Sequence, residues 1–210
     1  MKKGISIGFI TLFLLSGCVS NSAIPKVSEA SFYKGCGKYQ EEIILSSQQA
    51  TRIYNTLKEY KLDKTKDTYE GCLGDFEFTL SSGKDIDIVI INKNLISYEG
   101  QTYKTKDIDL FVEALRLYYD LGDKKTITLD ELKKLVKEKG KSLRYQDLEE
   151  YLHYNAGDYE VVYHFPIDNQ YSLFVSCLND ANSSEKIMLI NDKGESIEIR
   201  ENDIDSFINQ

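Results

Sequence analysis

The sequence predicts an α+β protein of two small modules, each with antiparallel strands flanked by helices. Three observations predict it. Apolar and polar residues alternate in short runs separated by turn residues; helix-spaced apolar stretches with capping residues bracket those runs; and the order helix, strands, helix occurs twice, where a parallel sheet would need strands and helices in regular alternation. With 41% hydrophobic residues, 15 Tyr and 9 Phe among 210 positions, a packed core is within reach and wholesale disorder is excluded. Two Pro and 13 Gly exclude collagen-like or Pro-rich linker character.

The first module is expected over residues 31–122. It opens with an extended stretch ending near Leu45. Ser46-Ser47 then caps a helix to about Tyr60 that places Ala50, Ile53, Leu57 and Tyr60 on one face. Asp63 to Thr68 reads as a polar loop. Phe76, Phe78 and Leu80 alternate with polar residues, Ser82-Gly83-Lys84 turns the chain, and Ile86, Ile88 and Ile90 alternate again, which reads as a hairpin. Leu95–Tyr98 and Gln101–Lys104 about Glu99-Gly100 form a second, shorter hairpin. Thr105 is placed to cap a helix carrying Ile108, Phe111, Val112, Leu115 and Tyr119, closed near Gly122.

The second module is expected over residues 123–210. Thr128-Leu-Asp-Glu131 is a capping box opening a helix to about Lys139, with Gly140 at its end. A further helix is expected from Tyr145 to Tyr154 with Leu148, Tyr151 and Leu152 inward. Strands come next at Tyr159–Phe165, Tyr171–Leu178, Lys186–Asn191 and Ser196–Arg200, and Asn202 caps a short final helix. Lys106-Asp-Ile-Asp-Leu-Phe111 returns 96 residues later as Asn202-Asp-Ile-Asp-Ser-Phe207, and the same offset lays Asp75–Leu80 on Tyr171–Ser176. The alternatives are a duplicated module and a shared helix-start pattern, since acids in a first turn are favoured by the helix dipole.

The N-terminus carries an address. Lys2 and Lys3 precede an almost wholly apolar stretch from Ile5 to Leu15, and Leu15-Ser-Gly-Cys18 sets a cysteine behind two small residues. This is the pattern of a secretory signal, and its apolar run is shorter than the ~20 residues that span a bilayer. Leu-Ser-Gly-Cys resembles the lipobox of bacterial lipoproteins. The resemblance covers this segment alone and implies a signal peptide over 1–17, a diacylglyceryl group on the Cys18 thiol, and a mature chain beginning at that residue. Residues 18–30 then form the lipidated cysteine and a small, polar tether. The implied location is the cell envelope, extracytoplasmic, with the membrane held through lipid on Cys18; more than one acyl chain suffices for stable anchoring.

The formal charge is −8, and without residues 1–17 it is −10. So acidic a chain argues against nucleic acid as a partner, because phosphate binding needs clustered cations. One tract runs the other way: Lys124, Lys125, Lys133, Lys134, Lys137, Lys139, Lys141 and Arg144 stand among only three acids. It reads either as a surface for anionic envelope groups or as a solvated helix face balanced by acidic neighbours, the reading we favour.

Candidate chemistry is sparse. In an oxidising compartment Cys36 and Cys72, both in Gly-rich extended segments, are a candidate disulfide, with two free thiols as the alternative; the bridge would close a loop of about 35 residues. Cys177 reads as a small hydrophobe in a strand. His153, three residues after Glu150 on the expected helix, reads as half of a solvated Glu–His pair, and His164 as a face-filling or edge residue. No G-x-S-x-G, H-E-x-x-H, S-x-x-K, P-loop, G-x-G-x-x-G or C-x-x-C occurs, and Asn179–Asn182 lacks the glycine and glutamate of a calcium loop. No catalytic or metal-ligating residue and no cofactor is therefore assigned. Ten tyrosines between Tyr98 and Tyr171 would either pack the sheets or present a binding face. The expectation is a lipid-anchored, non-enzymatic module that engages an envelope protein or wall polymer through strand edges or Tyr-bearing sheet faces. The alternatives are an envelope hydrolase or its accessory subunit, with a carboxylate–His site around His153 or His164, and an inhibitor or immunity lipoprotein acting through a loop such as Asn179–Glu185.

Overall fold

In the computed structural model, the described residues are 27–35, 40–67, 71–157, 160–177 and 184–209. Cys18, the lipobox and Cys36 lie outside them, as does most of the loop between the second and third strands expected in the second module. The fold is α+β, with four α-helices and two antiparallel sheets of seven and five strands among the described residues. Two compact units divide between Lys106 and Asp107.

The first unit contains β1 (Val27–Lys34), β2 (Glu41–Ile44), α1 (Ser47–Glu59), β3 (Leu62–Lys64), β4 (Gly74–Leu80), β5 (Asp85–Asn92), β6 (Leu95–Tyr98) and β7 (Gln101–Thr105). Its sheet order is β2-β1-β4-β5-β6-β7-β3. Alternation decides which face is covered. Pairing of Phe76 with Ile88, Phe78 with Ile86 and Phe32 with Phe76 puts all of these side chains on one buried face. The Phe32 and Phe76 rings lie 4.8 Å apart. Against that face sits α1, which buries Ala50, Ile53, Tyr54 and Leu57 at helical spacing and brings the Tyr54 ring 5.7 Å from that of Phe78. The Ser46 hydroxyl accepts from the Gln49 N–H while the Gln49 side chain accepts from the Ser46 N–H, so the expected cap is a reciprocal box. Glu99 and Gly100 both take positive φ (49° and 72°), the two-residue turn that matches strand twist.

Three local expectations change here. The tether gives way to structure at Val27, because Ala30 and Phe32 point inward from β1 and Ala30 pairs with Phe78. Asp63 and Lys64, placed in a loop, belong to β3, an edge strand on β7 whose exposed side chains show no inward alternation to read. Thr105 is buried at the end of β7, opposite Leu62; it caps no helix.

The second unit contains α2 (Asp109–Tyr119), α3 (Leu129–Lys139), two single 3-10 turns (Gly140–Ser142, Tyr145–Asp147), β8 (Tyr154–Asn155), β9 (Val161–Pro166), β10 (Tyr171–Cys177), β11 (Ser184–Asn191), β12 (Ser196–Glu198) and α4 (Ile204–Ile208). The sheet is a meander, β12-β11-β10-β9-β8. Its core joins Leu132, Leu143, Leu148, Phe165, Leu173, Val175, Ile187, Leu189, Ile199 and Phe207. The Thr128/Glu131 capping box forms as expected.

The boundary falls earlier than Gly122, so α2 belongs to the second unit. Its C-terminal end is tied to later segments of that unit: Arg116 Nη2 donates to the Lys124 carbonyl at 2.8 Å and the Tyr119 ring stacks on Tyr154 at 5.0 Å. The helix expected over 145–154 is replaced by successive tight turns. Leu148 N–H donates to the Tyr145 carbonyl and Tyr151 N–H to the Leu148 carbonyl, but Leu152 N–H leaves the local pattern for the Lys125 carbonyl. Leu148, Tyr151 and Leu152 are nevertheless buried, since 3-10 turns also return a side chain to one face after three residues. Asp203, one residue after Asn202, caps α4. The 96-residue offset does not carry through the elements: β4 precedes α2 by three further strands, whereas β10 precedes α4 by two.

Candidate interaction surfaces

His153 is buried and lies in no helix, contrary to the solvated pair with Glu150 expected from sequence. A backbone carbonyl can only accept, so the contact of Nδ1 with the Tyr151 oxygen at 2.7 Å puts the proton on Nδ1. Nε2 then accepts from the Tyr145 hydroxyl at 2.8 Å. Both nitrogens are used, and the Tyr145, Tyr163 and Phe165 rings enclose the imidazole. Burial holds it below the ordinary imidazole range, an effect that nearby Lys124 reinforces. A neutral histidine so held fixes a turn and leaves no lone pair for proton abstraction.

His164 sits mid-strand in β9. A cross-strand row runs Tyr154, His164, Phe174, with His164 bonded to the Tyr154 hydroxyl and stacked on Phe174 at 4.4 Å. Burial pushes the Tyr154 phenol far up. Of the ten tyrosines considered, Tyr98, Tyr145, Tyr151 and Tyr171 are buried, while Tyr119 reaches 40% exposure. The rings therefore serve mainly as packing.

Cys72 is disulfide-bonded. The Gly35 N–H donates to the Leu73 carbonyl at 2.9 Å, so the residue before Cys36 and the residue after Cys72 are hydrogen-bonded neighbours. Part of the basic tract is neutralised: Lys125 pairs with Glu131, Lys133 with Asp205 and Lys139 with Asp147 at 2.7–2.9 Å. For those three cations the acidic neighbours of the balanced, solvated face are present. A cleft of about 500 Å³ between α3 and the start of α4 is lined by Lys133, Lys134, Lys137, Asp203 and Asp205, and its mixed charge marks it for no one ligand.

The strongest surface feature was not read from sequence. On the face of the seven-stranded sheet opposite α1, the register sets Glu42 against Tyr33, Tyr33 against Asp75, Glu77 against Asp87, and Glu29 against Thr79, itself opposite Asp85. Six carboxylates (Glu29, Glu42, Asp75, Glu77, Asp85, Asp87) thus share four adjacent strands, all exposed except the half-buried Asp75. Burial raises the Asp75 carboxyl above its usual range, and the Asp87 and Glu77 charges raise it further against the bond from Gln40. Burial also raises Asp87. Asp75 Oδ1 is buried with no hydrogen-bond partner among the described residues. At the edge of this face, Ile44 on β2 is 81% exposed.

Among the described residues, no three His, Cys, Asp or Glu side chains are placed to hold a metal ion, and no helix is long and apolar enough to cross a membrane. Comparison with protein-family models, with curated proteins and with solved structures finds no match for the chain.

Proposed function

We propose that the protein is a lipid-anchored, extracytoplasmic binding module that is not an enzyme and that engages a cationic protein across the carboxylate face of its seven-stranded sheet. The anchor is Cys18, on the strength of the lipobox resemblance. The observation that carries the binding reading is the gathering of six carboxylates on four neighbouring strands, with Asp75 and Asp87 holding their protons more tightly than free carboxylates do. Burial is the main cause of both shifts, and the Asp87 and Glu77 charges add to it at Asp75; a basic partner relieves that like-charge part, and the acidic face speeds its arrival. The hydrolase reading loses its candidate base at His153, whose ring nitrogens are both committed.

The test titrates the full-length protein, recovered from membranes in detergent, with polylysine and with polyglutamate at low and high salt. Binding of polylysine alone, weakened by salt and lost in Asp75→Asn/Glu77→Gln/Asp87→Asn, supports the proposal. Equal binding of both polymers, or binding indifferent to the triple substitution, sinks it. Mass spectrometry of the N-terminal peptide checks the anchor: diacylglyceryl on Cys18 is expected, and an intact leader with a free thiol refutes it.

A further inference from the structure

We infer that the outer edge of β2 is a docking site for an extended segment of that cationic partner, which adds to the sheet as an eighth strand; the inference rests on the binding reading above and specifies how the partner is held. The hydrogen-bond phase of β2 is fixed by the Leu45 N–H, which donates to the Ala30 carbonyl at 2.9 Å. In an antiparallel pair the residues that exchange bonds alternate with those that do not, so Ile43 and Glu41 also turn their backbone groups toward β1. Glu42 and Ile44 turn theirs outward, where β2 has no strand neighbour among the described residues.

Exposed edges are ordinarily blunted by shortness, charge, a proline or a bulge. The β2 sequence Glu-Glu-Ile-Ile is short and acidic, which disfavours an acidic neighbour, but it holds no lysine or proline and its register against β1 runs without a shift. Ile44 instead presents an apolar side chain at 81% exposure, the most exposed large hydrophobic among the described residues. An incoming strand would satisfy the outward groups of Glu42 and Ile44 and cover the Ile44 side chain, the mode by which extended peptides extend a sheet.

Charge selects the occupant. Strands stand about 4.8 Å apart, so alternate side chains of an added strand stand beside Glu42, while Glu29 is two strand spacings away and the carboxylates of β4 and β5 three and four, acting only through their field. A second copy would bring another set of carboxylates to the same place and is repelled. Glu42 and Ile44 lie two residues apart on the same face, so a segment with lysine or arginine at alternate positions meets both, its charge beside Glu42 and an aliphatic stem over Ile44.

The probe is a short acetylated and amidated peptide of alternating lysine and valine, titrated into the full-length protein, with polylysine run in parallel to report on the charged face alone. Ile44→Pro removes an N–H that points away from β1 and leaves the ladder intact, a position where proline is tolerated. It is expected to weaken the peptide about tenfold while leaving polylysine binding within about twofold. Ile44→Val keeps both the N–H and an apolar side chain and should bind the peptide nearly as well as the parent, while retained polylysine binding in Ile44→Pro shows that the sheet is folded. Slowed hydrogen exchange at the Glu42 and Ile44 amides on peptide addition supports the same strand. If Ile44→Pro binds the peptide as the parent does, edge docking is overturned while the charged-face reading stands; if neither peptide nor polylysine binds, both fall.

Discussion

Replacing Tyr145 by phenylalanine tests whether His153 is a structural histidine. The substitution keeps the ring, which stacks on Tyr163 at 4.3 Å, and removes only the hydroxyl that donates to His153 Nε2 at 2.8 Å. A buried acceptor is then left without its donor, at a cost of about 1–3 kcal/mol. Because the chain forms two compact units, the readout should belong to the second one. Hydrogen exchange of the central β10 and β11 amides, resolved by mass spectrometry, is expected to quicken by roughly five- to a hundred-fold.

Acidity supplies the second half of the test. The folded state holds His153 below its usual range, so between the folded and unfolded pKa values the unfolded chain binds the extra proton. Stability from this residue is therefore fully present above about pH 6.5 and declines as the pH falls through that value toward the folded pKa. His153→Gln should abolish that component of the acid sensitivity. Unchanged exchange in Tyr145→Phe, together with an NMR titration placing His153 at or above about 6.5, would refute the structural assignment and make the residue a candidate base again.

Three more outcomes rest on single contacts. Asp87→Asn should stabilise the first unit at neutral pH and leave it unchanged near pH ~2, because a carboxyl whose folded pKa is raised destabilises only once ionised; urea midpoints at the two pH values decide it. Gly74→Ala should destabilise the same unit by about 1–3 kcal/mol, since a Cβ there would stand 2.5 Å from both Phe32 Cζ and the Tyr33 carbonyl oxygen; thermal melts report it. Peptide mapping without reduction is expected to recover Cys36 joined to Cys72, and Cys72→Ser to lower stability by a few kcal/mol; a Cys72–Cys177 peptide would overturn the pairing.

Where a signal was local, the sequence carried it. Ser46 with Gln49, Thr128 with Glu131, and the alternation of Phe76, Phe78, Ile86 and Ile88 each act within a few residues, and each element formed where those patterns stood. The stretch 145–154 misled because the spacing of Leu148, Tyr151 and Leu152 is shared by an α-helix and by consecutive 3-10 turns. Long-range bonding separates the two, here from Leu152 N–H to the Lys125 carbonyl. The edge strand β3 was hidden for a related reason: a strand covered on neither face has no alternation to display.

The carboxylate face shows how a surface can be spelled out in residues and still not be read. Asp75, Glu77, Asp85 and Asp87 alternate with buried apolar residues, so their common side was implied by the hairpin alone. The step that makes them a surface is the pairing of β1 with β4, which crosses more than 40 residues and sets Glu29 and Tyr33 beside Thr79 and Asp75. Nothing local announces that pairing, because Val27–Ala30 is as small and polar as a linker. Once it forms, two opposed demands meet on one sheet. The inner face needs Phe32, Phe76 and Ile88 in register, and period-two geometry then forces every intervening acid onto the other side, whatever the repulsion. Hydrophobic burial can hold such a face together, since the three inner side chains are fully buried and each contributes about 1.5–3 kcal/mol. Burial does not require the intervening positions to be acidic, however. Serine or threonine would spare the fold that repulsion, so the choice of carboxylates at these positions is what the proposed cationic partner is invoked to explain.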